Sequence, residues 1–391
     1  MTVSTRTAVI VGAGVGGLAT AAALHRDGWS VRVLEKHLPV EPIGAGISIA
    51  SNGLRALDTL GVGDRVRGLA AIHGDASLRT PDGRVVAASS ADAFVRRFGD
   101  PMVLATRAAL METLLSLVPE GTLRQGSAVD VDPGDADRAA SVTTADGEVH
   151  RADLVVAGDG IWSPLRRRLF PDHPAPSYAG FTTWRAVVPM PSSPLATGET
   201  WGRGRVFGAM PLADGLVYWY AAANRPAGGK HPDPRAELLS LFGGWHDPIP
   251  ELVGSAGNNA ILHLDVHWSD SPLPALHRGR VAVIGDAAHP MTPNLGQGGN
   301  QALEDAVDLA AVIAHHGDEV LDALPEFSAL RLPRTTDVVR RSRRMGAMTQ
   351  WESRPAVAVR NALLRLSARL SPDTAIKPLD SIMAWRPFTA A

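Results

Sequence analysis

The run Val9-Ile-Val-Gly-Ala-Gly-Val-Gly-Gly-Leu18 restricts this chain more than any other stretch. An apolar segment suited to a buried strand passes through four glycines into a helical segment, Leu18 to His25. Each spaced glycine has its own task. Gly12 lets the chain leave the strand in a tight turn, Gly14 lets backbone approach a pyrophosphate, and Gly17 lets the helix pack close to the sheet. The helix then aims its amide end and partial positive charge at the phosphates. Glu35 closes the next apolar strand, Ser30 to Leu34, where a carboxylate accepts both hydroxyls of a ribose. Strand, glycine turn, helix, strand and acid together read as a dinucleotide site in a Rossmann-like unit. A glycine-rich turn with no ligand is the plainer reading.

Arg6 followed by the apolar stretch Ala8 to Leu24 also has the outline of a secretory leader. The glycines in its middle would weaken such a helix, and Glu35 would have no purpose, so a cytoplasmic chain is expected. No other stretch reaches the ~20 uncharged residues of a membrane span. The net charge of −2 gives no reason to expect nucleic acid. The absence of cysteine removes thiolate nucleophiles, iron–sulfur clusters, zinc ribbons and redox-active disulfides together. Lysine is confined to Lys36, Lys230 and Lys377, which excludes most lysine-based chemistry.

Four pieces follow one another along the 391 residues. The first, to about Asp75, is strand–helix–strand, then the loop Ile43-Gly-Ala-Gly-Ile47 and a short helix, Asn52 to Leu60. The second, Ser77 to about Pro174, holds the wholly apolar strand Leu154 to Ala157, the pattern of a strand covered on both faces. The third, about Ala175 to Asp270, is rich in proline and glycine and alternates, as in Leu216-Val-Tyr-Trp-Tyr220, which reads as antiparallel sheet. Most of the chain's aromatic residues lie there, so it is the place for a flat apolar ligand. The fourth returns to a buried strand, Val281 to Ile284, and then to helices.

After that strand come Gly285-Asp-Ala-Ala-His-Pro290, then Asn294-Leu-Gly-Gln-Gly-Gly-Asn300, then a helix from near Gln301 with Glu304 and Asp305 in its first turn. A strand ending in Gly-Asp puts a carboxylate at the carboxyl edge of the sheet, where open α/β sheets bind ligands. The glycine turn then offers backbone amides to an anion at a helix N-terminus. An ordinary strand–loop–helix with a satisfied aspartate is the other reading of these residues.

The N-terminal fingerprint, Gly285-Asp286 and the downstream Gly-Gln-Gly-Gly-Asn, in that order, resemble the single-component FAD-dependent monooxygenases related to salicylate and para-hydroxybenzoate hydroxylases. A third motif agrees: Asp153-Leu-Val-Val-Ala-Gly-Asp-Gly-Ile-Trp-Ser-Pro-Leu-Arg166 matches the family's Asp-Gly segment, and Arg107 matches its flavin-contacting arginine at a helix start. The resemblance spans at least Val9 to Ala310. It implies non-covalent FAD, with Gly12, Gly14, Val15 and Gly17 around the pyrophosphate, Glu35 on the adenosine ribose and Lys36 beside it. Arg107 and Asp286 would hold the ribityl region, and Asp159 and Gly160 would serve FAD and a transient NADH or NADPH. Gly285, Gly296, Gly298, Gly299 and Asn300 would surround the flavin's pyrimidine edge, with Gly46, Ile47 and Pro290 near the ring. One departure is Ser51, where close relatives often carry proline. The absence of a second Gly-x-Gly-x-x-Gly fits a transient nicotinamide cofactor.

The fold so implied is α/β, α+β overall: a Rossmann-like FAD-binding domain (1–75, 101–175, 271–330) interleaved with an antiparallel-sheet substrate domain (76–100, 176–270), plus a C-terminal helical segment (331–391). The activity so implied is NAD(P)H-dependent: dioxygen adds to reduced flavin as a C4a-hydroperoxide, which hydroxylates an aromatic or heteroaromatic small molecule. The oligomeric state is left between monomer and homodimer. Arg205, Tyr218 and Tyr220 are the choices for the substrate pocket, with Arg205, Tyr218 and Pro290 as catalytic candidates. Sheet core is the other reading of the tyrosines, and a solvated edge residue that of Arg205. Trp184-Arg185 reads as structural. His263, Asp265 and His267 share a strand face, yet a further ligand is not evident and no metal is expected. His289 is a proton relay or a packing histidine. The cluster Arg340-Arg341-Arg343-Arg344 reads as a solvated helix face before a dimer contact. A non-oxygenating FAD oxidoreductase, an epoxidase and a non-catalytic FAD sensor remain as alternatives on the same fold. A flavin halogenase would need a Trp-x-Trp-x-Ile-Pro segment and a placed lysine, and the chain has neither.

Overall fold

The computed structural model describes residues 6–40, 46–69, 76–195, 197–317, 319–370 and 377–389. The glycine-loop residues 43–45 lie outside the described residues. Thr7–Val11, the strand before the fingerprint, is almost wholly buried because it lies mid-sheet. It pairs in parallel with Ser30–Glu35 on one side and Leu154–Ala157 on the other. Leu123–Gln125 follows on the first side, and Val281–Val283 then His277–Arg278 on the second, making six strands. Strands buried on both faces read as continuous apolar runs, as Leu154–Ala157 does.

The helix Val15–Arg26 is buried from Val15 to Leu24 because it is sandwiched between this sheet and the helix Gly298–His315. Glycine permits that approach: a Cβ on Gly16 would lie 3.2 Å from the Ala302 Cβ. The C-terminal helix starts at Gly298, so Glu304 and Asp305 fall in its second turn rather than its first. There they face the 30-residue helix Val320–Thr349. Buried Arg331 donates to Glu304 (2.5 Å), Asp305 (2.8 Å) and the Gln301 side chain (2.9 Å), and Arg334 donates to Glu304 (2.6 Å). Asp308 accepts from Trp385 Nε1 and Phe388 N, both at 3.0 Å, so the same cluster ties down the tail. Burying these charges is tolerated only because every carboxylate has donors. Of the arginine cluster on the long helix, Arg341 pairs with Asp337 and Arg343 stacks over Trp268.

The second sheet has seven strands in the order Leu262–Trp268, Ser177–Pro189, Leu216–Asn224, Arg205–Pro211, Gly198–Trp201, Ala76–Arg79, Val85–Ser89. Its pairs are antiparallel except Gly198–Trp201 with Ala76–Arg79. Alternation sorts its side chains. Trp184, Ala186, Phe207, Val217, Trp219 and Ala221 form a core with the helices Pro234–Phe242 and Ile249–Ser255. Arg185, Val187, Tyr218, Tyr220, Gly208, Met210 and Glu199 share the opposite face, since residues directly opposite across an antiparallel pair point the same way. The architecture is thus mixed α/β, a mostly parallel sheet covered by helices beside a mainly antiparallel one.

Candidate active site

Four loops leave the carboxyl ends of the first sheet's strands on one edge: after Val11, Glu35, Ala157 and Val283. Gly12 takes φ +99°, and a Cβ there would lie 2.4 Å from the Gly158 carbonyl oxygen. A Cβ on Gly17 would come within 1.9 Å of the Gly12 oxygen, so both glycines are required by the protein itself. Gly14 differs. It has ordinary extended φ, and a Cβ there would meet no atom of the described residues within 4 Å. No packing among the described residues explains that glycine; room left for a ligand does. Glu35 accepts from Ala13 N (2.8 Å) and His37 N (3.1 Å), which fixes the loop, and its two oxygens retain free lone pairs for hydroxyls. Lys36 beside it is exposed.

The Asp-Gly segment approaches from the next strand. Asp159 accepts from Leu165 N (3.3 Å) through Oδ2, while its buried Oδ1 has no hydrogen-bond partner among the described residues, and burial, opposed by Ser163 and the Leu165 amide, pushes this carboxyl above its usual range. Gly160 follows with φ +83°. Arg166, capped in place by Ser163, donates to the carbonyls of Ile161 (2.7 Å) and Ala287 (3.1 Å), so it locks this segment to the Gly285-Asp286 turn. On the inner side of that turn Asp305 accepts from Gly285 N (2.9 Å) and pairs with His289 Nε2 (2.6 Å). Burial acts to raise Asp305, but His289 and Arg331 outweigh it and hold the carboxyl well below the usual range. The His289 ring thus packs into the charge cluster. Asp286 is exposed on the outer side, toward Gly298. Burial lowers the Arg107 guanidinium, Asp286 opposes that, and Arg185 adds to it, so Asp286 and Arg185 each lie within electrostatic reach of Arg107.

Asn300 is spent on the scaffold. Its amide donates to the carbonyls of Ser48 (3.1 Å) and Gly296 (2.7 Å) and accepts from Ala50 N (3.0 Å), clamping the strand Gly46–Ile49 to the N-terminus of Gly298–His315. Gly296 takes φ +61°, where a side chain would be strained and would press on Ser48 Oγ (2.9 Å), and a Cβ on Gly299 would push the tip of Ile47 aside (2.9 Å). Pro290 is buried, and its carbonyl accepts from Ser269 N (2.8 Å) at the end of the second sheet's edge strand.

The two units meet at Tyr218. A Cβ on Gly46 would lie 2.6 Å from the Tyr218 ring, so the loop beside Ile47 rests on that phenol. Tyr220 lies flat across Gly208, whose Cβ would strike its ring at 2.4 Å, and its hydroxyl donates to Glu199. Trp201 Nε1 donates to the same carboxyl (2.5 Å), which burial pushes upward. Arg185 shares their row, opposite Tyr220, and has no hydrogen-bond or ion-pair partner among the described residues. Its charge reaches both phenols and Arg107. Arg205 is not brought together with the tyrosines. It shares the face of Phe207, away from Tyr218 and Tyr220, and donates to the Leu241 carbonyl (2.9 Å). The expectation that Trp184-Arg185 is structural fits Trp184, which is core, whereas Arg185 turns to the tyrosine face; Glu199 and Gly208 carry no local signal, and the one visible sign at Arg185 is a charge placed directly before the apolar run Ala186-Val-Val188. Asp265 gives its oxygens to Thr182 and Gly228 N, and among the described residues no three ligands gather into a metal site.

A model of the FAD binding domain matches residues 5–208 and 265–342. The chain is 38% identical over 363 residues to aurachin C monooxygenase/isomerase of Stigmatella aurantiaca, covering 92% of this chain and 94% of that one. The chain belongs to the FAD-dependent class A monooxygenases. The FAD-dependent urate hydroxylase of Klebsiella pneumoniae is 33% identical over 344 residues, 86% of this monooxygenase and 88% of that enzyme. Crystalline K. pneumoniae HpxO complexed with FAD and uric acid superposes with a TM-score of 0.90 at 28% identity, covering 97% of each chain. FAD is therefore the cofactor of this monooxygenase, and two observations fit it: the open space at Gly14 and the unpartnered Oδ1 of Asp159.

Proposed function

We propose that this monooxygenase uses NADH or NADPH and dioxygen to hydroxylate an aromatic or heteroaromatic small molecule laid against the Tyr218 face of the second sheet. The observation that carries the reading is the junction of the two units. The strand start at Gly46 rests on the Tyr218 ring, and Arg107 lies within electrostatic reach of both Asp286 on the cofactor edge and Arg185 on the sheet, which supports cofactor and substrate meeting at this junction. Bound and reduced by the nicotinamide, FAD supplies the activation of dioxygen and the transfer of one oxygen atom to the ring. The chain's own residues supply position and charge. Gly12, Gly14, Val15 and Gly17 take the diphosphate, Glu35 takes the adenosine ribose with Lys36 alongside, and Arg107 and Asp286 take the ribityl chain. The amides of Gly298 and Gly299 at a helix N-terminus favour negative charge on the reduced ring. Asn300 and Gly296 hold the Gly46-Ile47 loop over it, and Asp159 and Gly160 face the diphosphate side. Gly285 carries the turn that presents Asp286, and Pro290 walls the far edge.

For the substrate, Tyr218 keeps its place and Arg185 takes the one expected of Arg205. An arginine with no carboxylate partner beside two phenols suits a ring bearing an ionised oxygen or a carboxylate. Tyr220 serves as floor, its hydroxyl being committed to Glu199. The named relatives act on urate and aurachin C, and the first supports a planar ring with acidic oxygens. The test is NAD(P)H and dioxygen consumption by the flavin-loaded protein against a panel of aromatic acids, phenols and hydroxylated heteroaromatics. Acceleration by a ring compound with matching hydroxylated product supports the reading. Nicotinamide oxidation that yields no oxygenated product with any of them overturns it in favour of a non-oxygenating oxidoreductase.

A further inference from the structure

The helix Arg354–Leu370 has an outer face that none of the described residues covers, while its inner face packs on the body of the protein. Arg360, buried, donates to the carbonyls of Met348 (3.2 Å), Thr349 (3.1 Å) and Gly202 (3.1 Å) and stacks 5.3 Å over Trp201. Leu364 packs with Met345 and Met348 beside the second sheet. Those contacts fix which side turns out. At three- and four-residue steps that side carries Pro355, Ala358, Val359, Ala362, Leu363 and Leu366, all exposed, with Val359, Leu363 and Leu366 between 55% and 61% accessible. Trp351, 41% exposed, continues the stripe. A groove of about 400 Å³, lined by Met348, Trp351, Leu363, Leu364 and Leu366, opens next to it. Single exposed apolar side chains are ordinary, but a contiguous stripe with its own groove marks an interaction surface.

Charge decides between occupants. Arg354, Arg365 and Arg369 flank the stripe, and the helix contains no acidic residue. A second copy packed on this face would set these arginines against one another with no carboxylate to alternate with them, unlike the mixed-sign flanks of paired helices. An anionic lipid surface meets both features: leucines enter the acyl boundary and guanidiniums reach headgroup phosphates. We infer that Arg354–Leu370 docks the protein onto anionic lipid bilayers, lying in the interface plane.

The experiment floats the FAD-loaded protein with vesicles of phosphatidylglycerol and phosphatidylcholine, or phosphatidylcholine alone, at low and high salt. Co-flotation with the anionic vesicles that weakens in high salt is expected. A Leu363→Ser/Leu366→Ser variant should lose it while keeping flavin content and melting temperature, because both side chains already face water. An Arg365→Gln/Arg369→Gln variant should bind roughly 30-fold more weakly, at about 1 kcal/mol for each arginine. Absence of co-flotation with anionic vesicles at low salt would overturn the inference. So would flotation that the leucine variant leaves unchanged, or a dimer in light scattering that the leucine variant splits, which would assign the face to a second copy.

Discussion

Gly14→Ala separates the demands of the ligand from those of the fold. The backbone at Gly14 is extended (φ −75°), and the added Cβ has no atom of the described residues within 4 Å, so the apoprotein should change stability by less than about 1 kcal/mol. The same methyl stands where the diphosphate must meet the loop amides. Losing one or two charge-assisted hydrogen bonds at about 1.5–3 kcal/mol each predicts FAD binding weakened by roughly 10- to 10⁴-fold. Gly17→Ala should behave in the opposite sense: its Cβ would lie 1.9 Å from a backbone oxygen, costing about 3 kcal/mol or more in the apoprotein. Urea unfolding of both apoproteins and flavin-fluorescence titration of both with FAD form the assay. Wild-type FAD affinity in Gly14→Ala would refute the placement of the diphosphate, and so would apoprotein destabilisation as large as that of Gly17→Ala.

Arg185→Gln should raise KM for an anionic ring substrate by roughly 10–100-fold at unchanged FAD content, whereas Arg205→Gln, on the other face, should leave KM near wild type; steady-state kinetics with the best compound of the panel compares them. Gly208→Ala places a methyl 2.4 Å from the Tyr220 ring and should push that phenol off Glu199, raising KM and the fraction of NAD(P)H oxidised without product; coupling ratios measure it. Asp308 gives a pH signature. Burial pushes its carboxyl up to about 6, above the ordinary 3.8, so the folded protein binds the extra proton between those values and stability falls as pH rises through that window, by up to about 3 kcal/mol. Urea midpoints for Asp308→Asn and wild type across that range should diverge with this sign, and parallel curves would contradict it.

The cofactor edge was legible because its chemistry is local in sequence. Gly12, Gly14 and Gly17 sit within one turn between a strand and a helix, and Gly285-Asp286 ends a buried strand, so spacing and the family resemblance together proposed the cofactor loops. The substrate face was not legible, because it is assembled by register across strands far apart in the chain. Glu199, Gly208, Tyr220 and Arg185 form one row only once four strands are paired, and no local pattern reports that Tyr220 needs a glycine beneath it. Arg205 was drawn in by its aromatic neighbourhood, yet it shares a period-two phase with Phe207, whose ring is core, and that phase sends it away from the tyrosines. Glu304 and Asp305 were expected in a first helical turn, where acids favour the dipole. The helix begins at Gly298 instead, and what holds those acids is Arg331, reachable only after the long helix folds back.

The central claim is that this chain passes one atom of dioxygen to a ring held between Arg185 and the cofactor edge. Its most direct test is mass spectrometry of the product formed under isotopically heavy dioxygen, using the ring compound that most accelerates NAD(P)H oxidation. The account requires one heavy oxygen in each product molecule for each NAD(P)H consumed. A product formed in the same yield without heavy oxygen, or with oxygen drawn from water, would contradict it.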